Sequence, residues 1–180
     1  IDTASYATAT AGITVNIGGD TDGQAQNTGG AGIDTLLNIE NLTGSNFNDT
    51  LSGSFIDDTS TLNGGNGNDQ LFFDHGDFTL NGGAGNDVLG GEDCVGTFNG
   101  ETGDDQLRAQ NCAVTLNGGD GNDVLDVVSS IFGDSTLNGG AGNDTLGAGD
   151  GSYILNGGDG NDTLTIDIFF GGDSTLNGGA

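Results

Sequence analysis

Six aspartates carry the most specific chemistry in the chain. Asp69, Asp87, Asp105, Asp123, Asp144 and Asp162 each close a glycine-rich phrase two residues before a leucine, as in GGNGNDQL from Gly64 to Leu71. The phrases start at Leu62, Leu80, Phe98, Leu116, Leu137 and Leu155, with a truncated LNGGA at Leu176, at intervals of 18, 18, 18, 21, 18 and 21 residues. Turn preference explains an aspartate somewhere in a glycine-rich loop. It does not fix that aspartate at one place in successive units. In register, such carboxylates repel one another by about 1 kcal/mol per neighbouring pair even in water, so a column of them asks for a cation. Calcium suits best, because it takes roughly six to eight oxygens and accepts carboxylate and backbone carbonyl alike.

The composition agrees. The chain has 180 residues, 32% of them hydrophobic, with 38 glycines, no proline, one Lys or Arg against 27 Asp and Glu, and a net charge of -26. Nucleic acid, anionic membranes and phosphate substrates are poor partners for that charge, and a divalent cation is the natural counter-charge. Glycine without proline excludes collagen. Low hydrophobicity with high charge would leave the chain disordered unless a ligand removes the charge. No apolar run approaches the roughly 20 residues of a membrane span, and no signal-peptide pattern opens the chain. It begins at Ile1 without Met and stops at Ala180 inside a repeated phrase, which reads as a piece of a longer protein.

Catalysis is not expected. Neither HExxH nor GxSxG occurs, and GGDGND lacks the lysine of a phosphate-binding loop. Glu40, Glu92 and Glu101 are not placed for an EF-hand. His75 is the sole histidine and reads as a solvent-facing turn residue, and Arg108 is the sole basic side chain.

The elements that must position the aspartates follow from the period. Each 18-residue unit divides into two nines with an apolar residue at position 8 of both, giving the pairs Leu71 and Leu80, Leu89 and Phe98, Leu107 and Leu116. The glycine-rich run is a turn, because glycine is costly in helix and strand and suited to positive φ, and the short x-Leu-x after it is a strand with leucine inward. Two turns and two strands close one coil. Stacked coils give two parallel sheets about 4.8 Å per layer around a thin ladder of Leu, Ile and Phe, and no 3.6-residue apolar spacing supports a helix. The alternate halves, FDHGDFTLN, GEDCVGTFN, AQNCAVTLN and AGDGSYILN, lack both the GGxG run and the position 6 aspartate. One edge should therefore bind calcium and the other should not.

The phrases GGNGND, GGAGND and GGDGND resemble the repeats-in-toxin (RTX) family, whose hemolysin-type calcium-binding nonapeptide is G-G-x-G-x-D-x-U-x. The resemblance implies an all-β, right-handed parallel β-roll in which each ion sits between loops of successive coils. Carboxylate oxygens would come from position 6 of both loops and carbonyl oxygens from positions 1 to 4. The implied side-chain ligands are Asp69, Asp87, Asp105, Asp123, Asp144 and Asp162, with Asp34 and Asp49 as upstream candidates from GGAGIDTLL and GSNFNDTLS. The implied backbone ligands are Gly64, Gly65, Asn66 and Gly67; Gly82, Gly83, Ala84 and Gly85; Gly100, Glu101, Thr102 and Gly103; Gly118, Gly119, Asp120 and Gly121; Gly139, Gly140, Ala141 and Gly142; and Gly157, Gly158, Asp159 and Gly160. Consecutive carbonyls are expected to swing to opposite sides of the loop, and the position 5 asparagine to brace the turn. Glu101 replaces the second glycine and Asp104 the position 5 asparagine in the third loop, where strain is expected. Residues 1–43 read as a capping and lead-in segment with one irregular repeat, and residues 44–180 as the roll, continuing beyond the fragment. The resemblance further implies a secreted or cell-surface bacterial protein exported by a type I system.

Three side features complete the reading. Cys94 and Cys112, 18 residues apart at position 4 of their half-repeats, fall one above the other at a layer spacing that a disulfide tolerates, so a bridge is expected on the calcium-free edge. Thr61/Asn63, Thr79/Asn81, Thr97/Asn99, Thr115/Asn117, Thr136/Asn138 and Thr175/Asn177 form outward columns, broken at Ile154, with the look of ice-binding ranks but also of Asn ladders. The halves Val127–Asn138 and Ile166–Asn177 carry three extra residues each. Ile131, Phe132, Ile168, Phe169 and Phe170 there either enlarge the core or dock a second copy or a neighbouring domain. The expected parent is a surface layer, filament or adhesin. An exported hydrolase or toxin with this as its folding module, and an ice-binding solenoid, are the alternatives.

Overall fold

The computed structural model describes residues 1–54, 59–130, 133–167 and 172–180. The apolar residues Ile131, Phe132, Ile168, Phe169 and Phe170 lie outside them, and with them the choice between an enlarged core and a docking site.

The 18-residue period becomes a parallel β-solenoid. Leu71 pairs with Leu89, Leu89 with Leu107, Leu107 with Leu125, Leu125 with Leu146 and Leu146 with Leu164 along one sheet. Across the core, Leu62, Leu80, Phe98, Leu116, Leu137, Leu155 and Leu176 are in register along the other. Strands Gln70–Ala84 and Val88–Thr102 run continuously round the edge that joins the two sheets, 15 residues each. At that edge the chain turns through positive φ at His75 (62°), Asp93 (50°) and Asn111 (56°), one corner per coil. The three-residue insertions shift the separation to 21 without disturbing the ladder, since Leu116 still faces Leu137.

The core is filled from the inner faces of both sheets, with the leucine ladder of each as its central file. Leu42, Leu51, Leu62, Leu71, Leu80, Leu89, Phe98, Leu116, Leu125, Leu137, Leu146 and Leu155 are all 0% exposed. Beside them, the rings of Phe73 and Phe78 lie 4.5 Å apart and those of Phe78 and Phe98 5.5 Å apart. Gly91 makes room for this stack, because a methyl group there would come within 2.7 Å of Phe98 and 2.8 Å of Phe78.

The N-terminal segment joins the roll through parallel pairing. Thr3–Ser5 pairs with Asn41–Thr43, which pairs with Thr59–Asn66, and Thr14–Gly18 pairs with Thr50–Ser54. The phrase GGAGIDTLL does not form a nonapeptide turn. It contributes to an antiparallel hairpin of Ala25–Gly29 with Gly32–Thr35, tied to the first coil through Ile13 and Asn16.

Candidate metal centre

Stacking the phrases puts the six aspartates in one column, buried at all but Asp162, which is partly exposed. Asp69, Asp87, Asp105, Asp123 and Asp144 are each 1% exposed. Their two carboxylate oxygens have different work. Oδ1 accepts the backbone N–H of the aspartate one coil earlier: Asp49 to Asp69, Asp69 to Asp87 and Asp87 to Asp105 at 2.7 Å, then Asp105 to Asp123 and Asp123 to Asp144 at 2.8 Å, and Asp144 to Asp162 at 2.9 Å. Oδ2 of Asp69, Asp87, Asp105, Asp123, Asp144 and Asp162 is buried without a hydrogen-bond partner. A buried acceptor left in that state costs on the order of 1–3 kcal/mol, more when charged.

The surrounding oxygens converge on the same gaps. A methyl group on Gly64 would overlap Asp69 Oδ2 and lie 2.6 Å from the carbonyl oxygen of Gly82 in the next coil. The same holds at Gly100, where Asp105 Oδ2 meets the Gly118 carbonyl, and at Gly118, Gly139 and Gly157 with Gly139, Gly157 and Gly178. Carbonyls alternate as the glycines allow. Those of Gly65 and Gly67 point up at Gly83 and Gly85, while that of Ala84 points down and accepts the Gly67 N–H at 2.8 Å. Thr102, Asp120, Ala141 and Asp159 repeat the downward carbonyl toward Gly85, Gly103, Gly121 and Gly142. Each gap between coils is thus lined by carbonyl oxygens from both sides and one carboxylate oxygen.

Burial is the first cause that pushes these carboxyls up; the backbone N–H each accepts opposes it, and neighbouring negative charge adds a smaller upward push. Asp69 and Asp105 rise to about 7 and Asp123 to about 6, and Asp87 and Asp144 move the same way. Such groups need either a proton or a cation. Among the described residues no three His, Cys, Asp or Glu side chains group as metal ligands, so a cation here would take most of its oxygen from the backbone. That donor set suits calcium and not zinc, which favours nitrogen and sulfur.

The RTX calcium-binding nonapeptide repeat matches residues 43–77, 79–93, 99–127 and 132–155, in four copies that span more than half of the chain. The chain belongs to the RTX calcium-binding repeat family. No curated protein matches it.

Two upstream aspartates are placed differently from the RTX column. Asp49 sits at its first position, but its own carboxylate is already engaged by the N–H groups of Ile13 and Ser45 and by the Ser45 hydroxyl. Asp34 does not join the column. It lies in the hairpin, accepts the Thr28 hydroxyl at 3.0 Å and bonds to Tyr6, whose hydroxyl is raised to about 12 by burial and by that carboxylate.

The loops are braced by the position 5 residues. Asn68 N–H donates to the Asn48 side chain at 2.9 Å, and Asn86, Asp104, Asn122, Asn143 and Asn161 continue the series, each donating to the residue one coil earlier. Asp104 takes the asparagine's part. The N–H and amide of Asn122 hold its carboxyl below the usual carboxylate range. Glu101 adopts φ 79°, where Gly83 and Gly119 have 110° and 118°, so the strain expected there is present.

The opposite edge is held by other means. Cys94 and Cys112 form a disulfide with a Cα separation of 4.5 Å. Alongside it the corner side chains bond from coil to coil: His75 Nε2 lies 3.6 Å from Asp93, Asn111 donates to Asp93 at 3.0 Å, and Ser129 donates to Asn111 at 2.6 Å. Sequence reasoning missed this spine because its members differ in type. The signal was their common spacing of 18. On the strand face, Asn63, Asn81, Asn99, Asn117, Asn138, Asn156 and Asn177 bond amide to amide, so these side chains serve the roll itself.

Proposed function

We propose that the roll is a structural module of a secreted or cell-surface bacterial protein, a surface layer, filament or adhesin, that folds as calcium enters the gaps between its loops. The partnerless Oδ2 atoms carry this reading, since calcium in each gap would satisfy a carboxylate oxygen that the protein leaves without a donor. The coordinating set is Asp69, Asp87, Asp105, Asp123, Asp144 and Asp162 with the carbonyls of their loops. Residues 1–43 act as the cap on which the first coil builds. The disulfide favours an oxidising, extracellular location, and export by a type I system accords with the family. The same module would serve an exported hydrolase or toxin as its folding unit. The ice-binding alternative draws less support, because the asparagine rank is spent on inter-coil bonds.

Circular dichroism tests the coupling. In excess chelator the chain is expected to be expanded and without β signal, to fold in millimolar calcium, and to respond poorly to magnesium, which demands tighter octahedral geometry. A compact β spectrum in chelator that calcium leaves unchanged would overturn the proposal.

A further inference from the structure

We infer that the outer face of the sheet containing Gln70–Asp74 binds a neutral glycan. This goes beyond calcium binding and depends only on the roll being folded. A groove of about 710 Å³ runs across this face, within the roughly 300–1,000 Å³ common for small-molecule sites. Its floor is Gly90, which stands in register between Phe72 of the coil below and Arg108 of the coil above. The Cδ1–Cε1 edge of the Phe72 ring fills the space a side chain at Gly90 would need, at 2.8 and 2.9 Å from the position of its Cβ. The ring therefore leans along the sheet, and it remains 42% exposed. It is the only aromatic ring on an outer sheet face among the described residues.

Planar polar side chains flank the ring. Asp74, Glu92 and Gln110 form the neighbouring column in register, and Gln110 donates to Glu92 at 3.1 Å. Arg108 also lines the groove, its charge met by Asp126 at 3.5 Å. A pyranose offers this combination its two complements: a face of C–H groups for the aromatic ring and vicinal hydroxyls for carboxylate, amide and guanidinium. The two carboxylates at the rim and the net charge of -26 select against acidic sugars.

The test titrates the chain, under whichever condition gives the β spectrum, with cellotriose, maltotriose, laminaritriose and tri-N-acetylchitotriose, read by calorimetry and saturation-transfer NMR. At least one is expected to bind saturably with a millimolar or tighter Kd. Phe72→Thr should weaken that binding at least tenfold and Glu92→Gln at least threefold, with Thr97→Val on the opposite sheet leaving it unchanged. Absence of saturable binding to all four probes, or binding that Phe72→Thr leaves within twofold, overturns the inference. Should Phe72→Thr fail to give the β spectrum, Glu92→Gln decides by the same criterion. Loss of calcium-dependent folding is read separately, by circular dichroism, so the two proposals fail independently.

Discussion

Replacing Asp123 by asparagine separates the two roles of the column. Asn keeps an oxygen for the Asp105 N–H, which Asp123 Oδ1 accepts at 2.8 Å, but removes the charge and the partnerless Oδ2. Adjacent carboxylates about 5 Å apart repel by about 0.8 kcal/mol in water and about 3 kcal/mol at an effective dielectric near 20. With Asp105 and Asp144 on either side, Asp123→Asn should stabilise the calcium-free roll at pH 8 by at least about 1.5 kcal/mol. The same change takes a carboxylate from the proposed calcium site. Asp123→Ala instead also orphans the buried Asp105 N–H, at a further cost of about 1–3 kcal/mol. The assay is folding by trimethylamine N-oxide in chelator, followed by calcium titration, both monitored by circular dichroism. Asp123→Asn should lower the osmolyte midpoint and raise the calcium midpoint, whereas Asp123→Ala should raise the calcium midpoint and need more osmolyte than Asp123→Asn, by the cost of the orphaned N–H. An Asn variant harder to fold in chelator, or one with an unaltered calcium midpoint, would refute the reasoning.

Acidity should act in opposite directions with and without calcium. The column's carboxyls are raised from 3.8 to as much as about 7 in the folded chain, so the calcium-free roll binds more protons than the unfolded chain between those values. Its stability is greatest below about pH 4 and declines as pH rises through 7; in calcium, acidification from pH 8 to 6 should raise the calcium midpoint, and calorimetry in buffers of different ionisation enthalpy should detect proton release on binding. Glu101→Gly relieves a positive φ that costs about 1–2 kcal/mol, partly offset by the freedom glycine gains when unfolded; a Tm rise of about 2–4 °C in calcium is expected, and a fall would count against the strain. Substituting both Cys94 and Cys112 by serine opens an 18-residue loop, which chain entropy values at about 3 kcal/mol; urea unfolding in calcium measures it, and a loss below about 0.5 kcal/mol would show the corner spine to be sufficient alone.

The roll was legible where one residue type recurs at one position. Leu at position 8 gave both ladders, Asp at position 6 the column, and two cysteines 18 apart the disulfide, because a solenoid converts sequence period directly into spatial neighbours. The rest depended on what stands above and below a residue. Asp34 has the letters of a repeat, but Gly29 and Gly32, at φ 70° and 106°, turn its chain back into a hairpin where Thr28 and Tyr6 take the carboxylate. Asp49 has a serine at position 2 of its loop, and only the folded coil shows that Ser45 closes the site. The division of labour between Oδ1 and Oδ2 likewise has no sequence signature.

The disulfide has a mechanical consequence. Pulled from its ends, a stack of this kind yields coil by coil, and each coil that lets go releases 18 residues, roughly 60 Å of slack at about 3.4 Å per residue. The covalent link from Cys94 to Cys112 withholds one such length, because the residues between them remain a closed ring spanned by 4.5 Å between the Cα atoms. Oxidised, the tether should come to full extension about 60 Å short of its reduced length, a difference that single-molecule stretching with and without reductant can resolve. A change in redox state would thereby set how far this segment reaches under load.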